Sequence, residues 1–384
     1  MLCMASPPNP GPSWQYSHDA SFSDPVNLPL SRVPIPSRPI ALAPENIRPR
    51  CGFEALKNAP ISSGGETKII YTLRHGNTPH NDDSERWGKP VAWRYLAGLA
   101  KNFDPSITEE GRYNVYWAAQ YLITAINSET APRPQVIYSS PLSRCIQTAM
   151  RMIKQTGLHL PSPDGRFPPV TLQVKEGLRE WMGYGHNHQS DYKGSKADIE
   201  KLVEGLNNDL DVRVQCELDV PEQEDFHDEV YIDVDRRVRR VLDDIFNNSD
   251  SGDCVMLVLH SRCNKSFLRV LGHPPPAVDN FEMANCAVLP YRVTRRVMGG
   301  EEVARRDQYE NEQWHRDQAE AEASKSARLW QAVEDVKAWQ NDPGSWHQLE
   351  SLRKTLVDFY QRDGDPAAGG ALGLLEEDLR SSQG

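Results

Sequence analysis

Four short apolar runs, at residues 68–73, 135–139, 170–174 and 254–259, recur along the chain with helix-patterned segments between them. Runs this short and this rich in β-branched residues read as strands buried on both faces. Strands of that kind, separated by helices, build a mainly parallel sheet with helices packed on each side. The pattern therefore restricts the chain to the α/β class, expected as a three-layer α/β/α sandwich. Thr108 is placed to cap a helix running to about residue 127, with Val115, Ala118, Ala119, Leu122 and Ile126 on one face. Further helices are expected over about 142–154, 234–247 and 261–271, and a closing β segment over 286–294.

The rest of the chain divides by composition. Residues 1–60 are crowded with proline and read as a disordered or extended arm, in which Trp14, Tyr16 and Phe22 give parts of it the means to dock on the body. The catalytic domain is expected over 66–298. Between about 183 and 230 the alternation lapses into a polar, acidic stretch with one helix near 197–206, expected as a cap insertion over the strand ends. Residues 299–384 read as a helical C-terminal extension with a frayed end. Leu329, Val333 and Val336 form one stripe there, and Leu349, Leu352, Leu356 and Phe359 another. These helices are the expected route to a homo-oligomer or a docked partner.

Charge and cysteine usage remove other classes. A formal net charge of −11 and no basic tract argue against nucleic-acid binding. No apolar stretch approaches the roughly 20 residues that span a bilayer, and the first residues lack the layout of a secretory signal. The seven cysteines are scattered without a CxxC pair, so neither a disulfide framework nor a thiolate zinc site is indicated. A reducing, cytoplasmic home is expected.

Chemistry concentrates where the strands end. Arg74-His75-Gly76 closes the first run and is followed by Thr78 and Asn81. Arginine offers a planar fork to phosphate oxygens, and a neutral imidazole is a competent nucleophile. Ser140-Pro141-Leu142-Ser143-Arg144 follows the second run and sets Arg144 near a helix amino end, where backbone N–H groups also attract an anion. Glu180 follows the third. A carboxylate beside a bound phosphate resists ionisation, because like charges repel, and so suits the protonation of a leaving oxygen. His260 closes the fourth run, with Ser261 and Arg262 after it.

These segments, in this order, resemble the histidine phosphatase superfamily in its phosphoglycerate mutase-like branch. That family is marked by RHG after the first strand, an SPLxRxxQTA segment (here 140–149), a glutamate in an LxE context (178–180) and a late second histidine. Residues 104–111, DPSITEEG, are similar to its DPxLTxxG segment. The resemblance implies His75 as the phosphoryl acceptor and Glu180 as acid and then base. It implies Arg74, Arg144 and His260 around the phosphate, with Asn81 and Thr78 assisting; Ser261, where the family often has glycine, is a departure expected either to donate a further hydrogen bond or to crowd the pocket. It also implies a metal-independent phosphatase without a cofactor, acting on a small phosphomonoester or diphosphate metabolite. Three alternatives use the same residues: a phosphomutase, a catalytically silent phosphate-binding scaffold, and a metal-dependent hydrolase drawing on His75, His80, His186, His188 and His260. Hydrolysis is expected over mutase transfer, because the motifs that accompany the latter are not evident.

Overall fold

The computed structural model describes residues 13–18, 66–82, 103–129, 131–183, 189–221, 229–273, 278–279 and 281–339, with side chains of the last helix described as far as residue 321. In chain order the elements are β1 (Trp14–His18), β2 (Glu66–Arg74), α1 (Glu109–Asn127), β3 (Val136–Ser139), α2 (Ser143–Thr156), β4 (Thr171–Lys175), α3 (Lys196–Asp209), β5 (Cys216–Asp219), α4 (Tyr231–Asn247), β6 (Cys254–Leu259), α5 (Ser261–Val270), β7 (Val288–Val297) and α6 (Gly300–Trp339).

Among the described residues, seven strands form one sheet in the order β1-β7-β2-β6-β3-β4-β5. Strands β2, β6, β3, β4 and β5 run parallel, while β7 lies antiparallel to both β2 and β1. Central β6, Cys-Val-Met-Leu-Val-Leu, is buried along its whole length, as a strand covered on both faces must be. Its side chains alternate between two cores. Met256 and Val258 join α1, α2 and α3 on one face; Val255, Leu257 and Leu259 join α4 and α5 on the other. The expected three-layer α/β sandwich is the fold. Thr108 caps α1 by accepting the Gly111 N–H, so the polar residue chosen from the sequence starts that helix as expected.

The segment at 183–230 differs from the sequence expectation, while part of the arm docks through Trp14 and Tyr16 as expected. The stretch at 183–230 is not a cap throughout: Ile199, Val203 and Leu206 of α3 are buried in the main core, and β5 pairs with β4 as the sheet's last strand. The short turn Gln189–Asp191, by contrast, reaches the strand ends. Within the proline-rich arm, β1 covers the edge of β7, with Tyr16 only 2% exposed and hydrogen-bonded to Asp243. Arg295 of β7 stacks over Trp14, 4.0 Å from the ring centroid. The sheet's edge on this side is thus a strand of only 5 residues, and short edge strands offer little for another chain to pair with. In α6, the buried Glu310 pairs with Arg236 and Arg239, which ties the start of the C-terminal extension to α4. The first apolar stripe lies on the far half of α6; the second is outside the described residues.

Candidate active site

Strands β2 and β6 are parallel neighbours in register, with Arg74 opposite Leu259. The residue after each is a histidine, so His75 and His260 emerge side by side at the carboxyl ends of the sheet, where α/β folds bind ligands. Parallel strands lie about 4.8 Å apart, and the two imidazole centroids are 5.1 Å apart. Ser140, following β3 on the other side of β6, shares a 2.7 Å hydrogen bond with His260 Nε2.

The local contacts fix the His75 ring. Its Nδ1 lies 2.8 Å from the Gly76 carbonyl. A carbonyl only accepts, so Nδ1 carries the proton and Nε2 keeps its lone pair. The main chain is held on both sides: His75 N–H donates to the Leu259 carbonyl (3.1 Å), and Asn285 Nδ2 donates to the His75 carbonyl (2.9 Å). Gly76 is needed because a Cβ there would meet the Gly111 carbonyl oxygen at 2.9 Å, while one on Gly111 would meet the Asn77 oxygen at 2.3 Å. Thr148 Oγ1 accepts the Gly76 N–H at 3.0 Å, and Gln147 Oε1 accepts the Ile107 N–H at 2.9 Å. The QTA part of the second motif thus builds the loop and leaves the charge to Arg144.

Two guanidinium groups stand against the imidazoles. Arg144 is 1% exposed; its Nη2 donates to Asp191 Oδ1 at 3.1 Å and its Nη1 to the Ser190 carbonyl. Arg74 Nη1 donates to the Met283 carbonyl at 2.6 Å. In both arginines the Nε is buried without a hydrogen-bond partner among the described residues, and so is the Ser190 hydroxyl. Buried donors left unpaired are costly, and both arginines act electrostatically on the two imidazoles. Burial first, then the charges of Arg144 and Arg74, hold His75 well below the ordinary histidine range, and His80 adds to this. His260 is depressed likewise, by burial, Arg144, His75 and Arg74. Arg74 is itself lowered by burial, an effect partly offset by the Glu180 carboxylate.

Glu180 sits at the amino end of α5. Its Oε1 accepts the N–H of Trp181 (2.9 Å) and of Cys263 (3.2 Å), and its Oε2 that of Arg262 (3.4 Å). The amino end of α2, read from sequence as open to an anion, is instead occupied: Asp104 accepts both the N–H and the hydroxyl of Ser143. Both helix starts near the site therefore hold carboxylates of the protein. Asn81 and Thr78 bond each other, Thr78 Oγ1 donating to Asn81 Oδ1 at 2.8 Å. Asn285 Nδ2 adds a second donor to that oxygen at 3.3 Å. With its oxygen so occupied, Asn81 has its NH2 group left to donate. Ser261 begins α5 half-buried, and no hydrogen bond joins it to either imidazole among the described residues. His186 and His188 lie outside the described residues. Among the described ones, no group of three or more His, Cys, Asp or Glu side chains could hold a metal ion.

Ser140, Asp191 and Asn285 escaped the sequence reading as individual residues. Ser140 was signalled only as part of its motif, and the other two carry no local pattern.

Burying two neutral histidines makes stability depend on pH. The unfolded chain protonates its histidines near pH 6.5, while the folded state resists, so stability present above that pH drains as pH falls toward the folded-state values. Asp191 works in the opposite direction below pH 6, since burial raises its carboxyl to about 6 against the pull of Arg144. Each depressed histidine withdraws about 1.4 kcal/mol per pH unit, so the net loss between pH 7 and 5.5 is about 2 kcal/mol. Urea midpoints should fall across this window, and the fall should be largely absent from a His75→Asn/His260→Asn double variant.

No helix among the described residues is long and apolar enough to cross a membrane. In comparisons with known proteins, the chain is 29% identical over 243 residues to a protein of Arthroderma benhamiae named as a probable phosphoglycerate mutase, covering 61% of this chain and 65% of that relative. A Saccharomyces cerevisiae protein named in the same way is 27% identical over 222 residues, covering 54% of this chain and 73% of its own length. The chain thus spans about two thirds of the length of these relatives. Among solved structures, an ecdysone phosphate phosphatase from Bombix mori overlaps 60% of this chain and 92% of its own at 14% identity, with a TM-score of 0.38. A mycobacterial glucosyl-3-phosphoglycerate phosphatase overlaps 59% and 90% at 20% identity, with a TM-score of 0.35. The family model for branch 1 of the histidine phosphatase superfamily matches residues 70–298, from within β2 to just past β7 and more than half of the chain. Its span takes in both histidines, both arginines and Glu180, and the protein belongs to that superfamily.

Proposed function

We propose that the protein is a phosphatase that hydrolyses a small phosphomonoester or diphosphate through a phosphohistidine at His75. The observation that carries this reading is the state of His75: uncharged, its Nδ1 proton committed to the Gly76 carbonyl, and its Nε2 lone pair free beside two arginines. Nε2 attacks phosphorus as the ester bond to the leaving oxygen breaks, and Glu180 gives that oxygen a proton. Glu180 then takes a proton from water as the water oxygen attacks the phosphohistidine, which releases inorganic phosphate and restores the imidazole. Charge on the transferring oxygens is met by Arg74, Arg144 and His260, with Asn81 NH2 as a further donor and Thr78 orienting it. Catalysis of this kind is chiefly positioning and electrostatic stabilisation.

A second reading keeps the phosphohistidine but passes the phosphoryl group to another hydroxyl in place of water. The two relatives named as phosphoglycerate mutases favour it. One experiment separates the readings. Mixed rapidly with a 32P-labelled phosphomonoester and quenched in alkali, the protein should carry up to one equivalent of acid-labile, alkali-stable label. On further incubation the label should appear as inorganic phosphate. Label that appears instead on an added phosphoglycerate or sugar hydroxyl supports the mutase, and absence of any labelled protein removes both.

A further inference from the structure

The catalytic scheme leaves one buried carboxylate of the charge cluster without a task. Asp191 closes the turn Gln189–Asp191, is 4% exposed, and accepts Arg144 Nη2 at 3.1 Å. The residue before it, Ser190, accepts Arg144 Nη1 through its carbonyl. Two consecutive residues thus hold the two terminal nitrogens of one guanidinium, and Nε is left buried and unpartnered among the described residues. The charge held this way is, after burial, the largest influence on both imidazoles.

We propose that Asp191 is a positioning residue for phosphoryl transfer, fixing the plane of Arg144 so that its Nε meets the transferring oxygens. The proposal rests on the phosphohistidine reading above. A guanidinium is planar, so pinning both ends of its fork from one turn sets the directions of the N–H groups left over, Nε among them. Such preorganisation counts where charge develops in the transition state, because the donor need not reorient as the bond breaks. A carboxylate suits the role for a second reason. Asp191 is the carboxylate in direct contact with the buried Arg144 cation, and removing one partner of a buried pair is strongly destabilising. Asp191 faces Arg144 and Arg262, which pull its proton off, and Glu180, which pushes the other way. With Ser190 it joins the 183–230 segment to the charge cluster among the described residues, through a side chain that never contacts phosphorus.

Charge and position give opposite signs, which makes the proposal testable. Without Asp191 the centre is more positive, so inorganic phosphate, a ground-state anion, should bind as tightly as before or more so. Orthovanadate, which takes the five-coordinate geometry of the transferring group, should lose the aimed donor. In Asp191→Ala the ratio of the vanadate to the phosphate inhibition constant should rise about tenfold or more, with kcat down by a similar factor and KM unchanged or lower. Inhibition constants do not depend on the fraction of folded enzyme, so a merely structural loss would leave the ratio alone. Asp191→Asn, which keeps an acceptor oxygen for Nη2, should recover most of kcat. Asp191→Glu, with the same charge one methylene further out, should raise the ratio and covers the case in which the alanine variant does not fold. A native ratio in whichever of these two variants folds overturns the proposal. A native enzyme that binds neither anion removes it together with the phosphohistidine reading, whereas one that binds both, with Asp191→Ala at the native ratio, removes this proposal alone.

Discussion

Replacing His75 with alanine should lower phosphate release from an aryl phosphate by at least about four orders of magnitude, the scale on which loss of a catalytic nucleophile is felt. The folded state should survive. The main-chain N–H and carbonyl of residue 75 stay bonded to Leu259 and Asn285. The ring is uncharged at pH 7.5, because burial and both arginine charges act against its protonation, so its loss breaks no charge pair. What the substitution costs is the cavity left by the ring, less whatever the surroundings recover by relaxing into it. The thermal midpoint at pH 7.5 should therefore move by only a few degrees, and orthovanadate should still bind through Arg74, Arg144 and His260. The decisive measurement is the single-turnover rate with native-like circular dichroism. Residual turnover within about a hundredfold of native would remove His75 as the nucleophile and point to direct attack by water.

How much of this was readable beforehand depended on whether the signal was local. Both histidines could be singled out because each ends an apolar run, and Arg144 because its motif surrounds it. Their meeting was not readable from either run. It follows from β6 inserting between β2 and β3 and from the register Arg74 opposite Leu259, a pairing between segments far apart in the chain. The same limit hid β5: four residues, Cys-Glu-Leu-Asp, with alternate side chains exposed, carry too little apolar character to stand out from an acidic stretch. It hid β1 as well, whose partner is some 280 residues away and whose neighbours are prolines. Asp191 is the instructive omission. In sequence it is one acid among many, and only the fold turns it inward onto Arg144. The open helix start expected at Ser143 failed for a related reason: a capping carboxylate, Asp104, arrives from a different segment.

Glu180→Gln should separate substrates by their leaving groups. With an alkyl phosphate, whose departing oxygen needs a proton, the formation of phosphohistidine should slow by about two to four orders of magnitude. With an activated aryl phosphate, whose oxygen departs as a stable anion, that step should slow by less than about tenfold. The substitution is structurally mild here, because Oε1 alone accepts the Trp181 and Cys263 N–H groups and glutamine retains it. Only the longer Arg262 contact, 3.4 Å to Oε2, is given up. Glutamine cannot take a proton from water either, so the second half-reaction should fail with both substrates. The aryl phosphate should consequently give a near-native burst of about one equivalent, followed by a steady state slowed by about two orders of magnitude or more while labelled protein accumulates. Rapid-quench measurements on the two substrates resolve the steps. Equal slowing of the burst with alkyl and aryl phosphates would show that Glu180 holds the amino end of α5 and transfers no proton, and the acid would then have to be sought elsewhere around the phosphate.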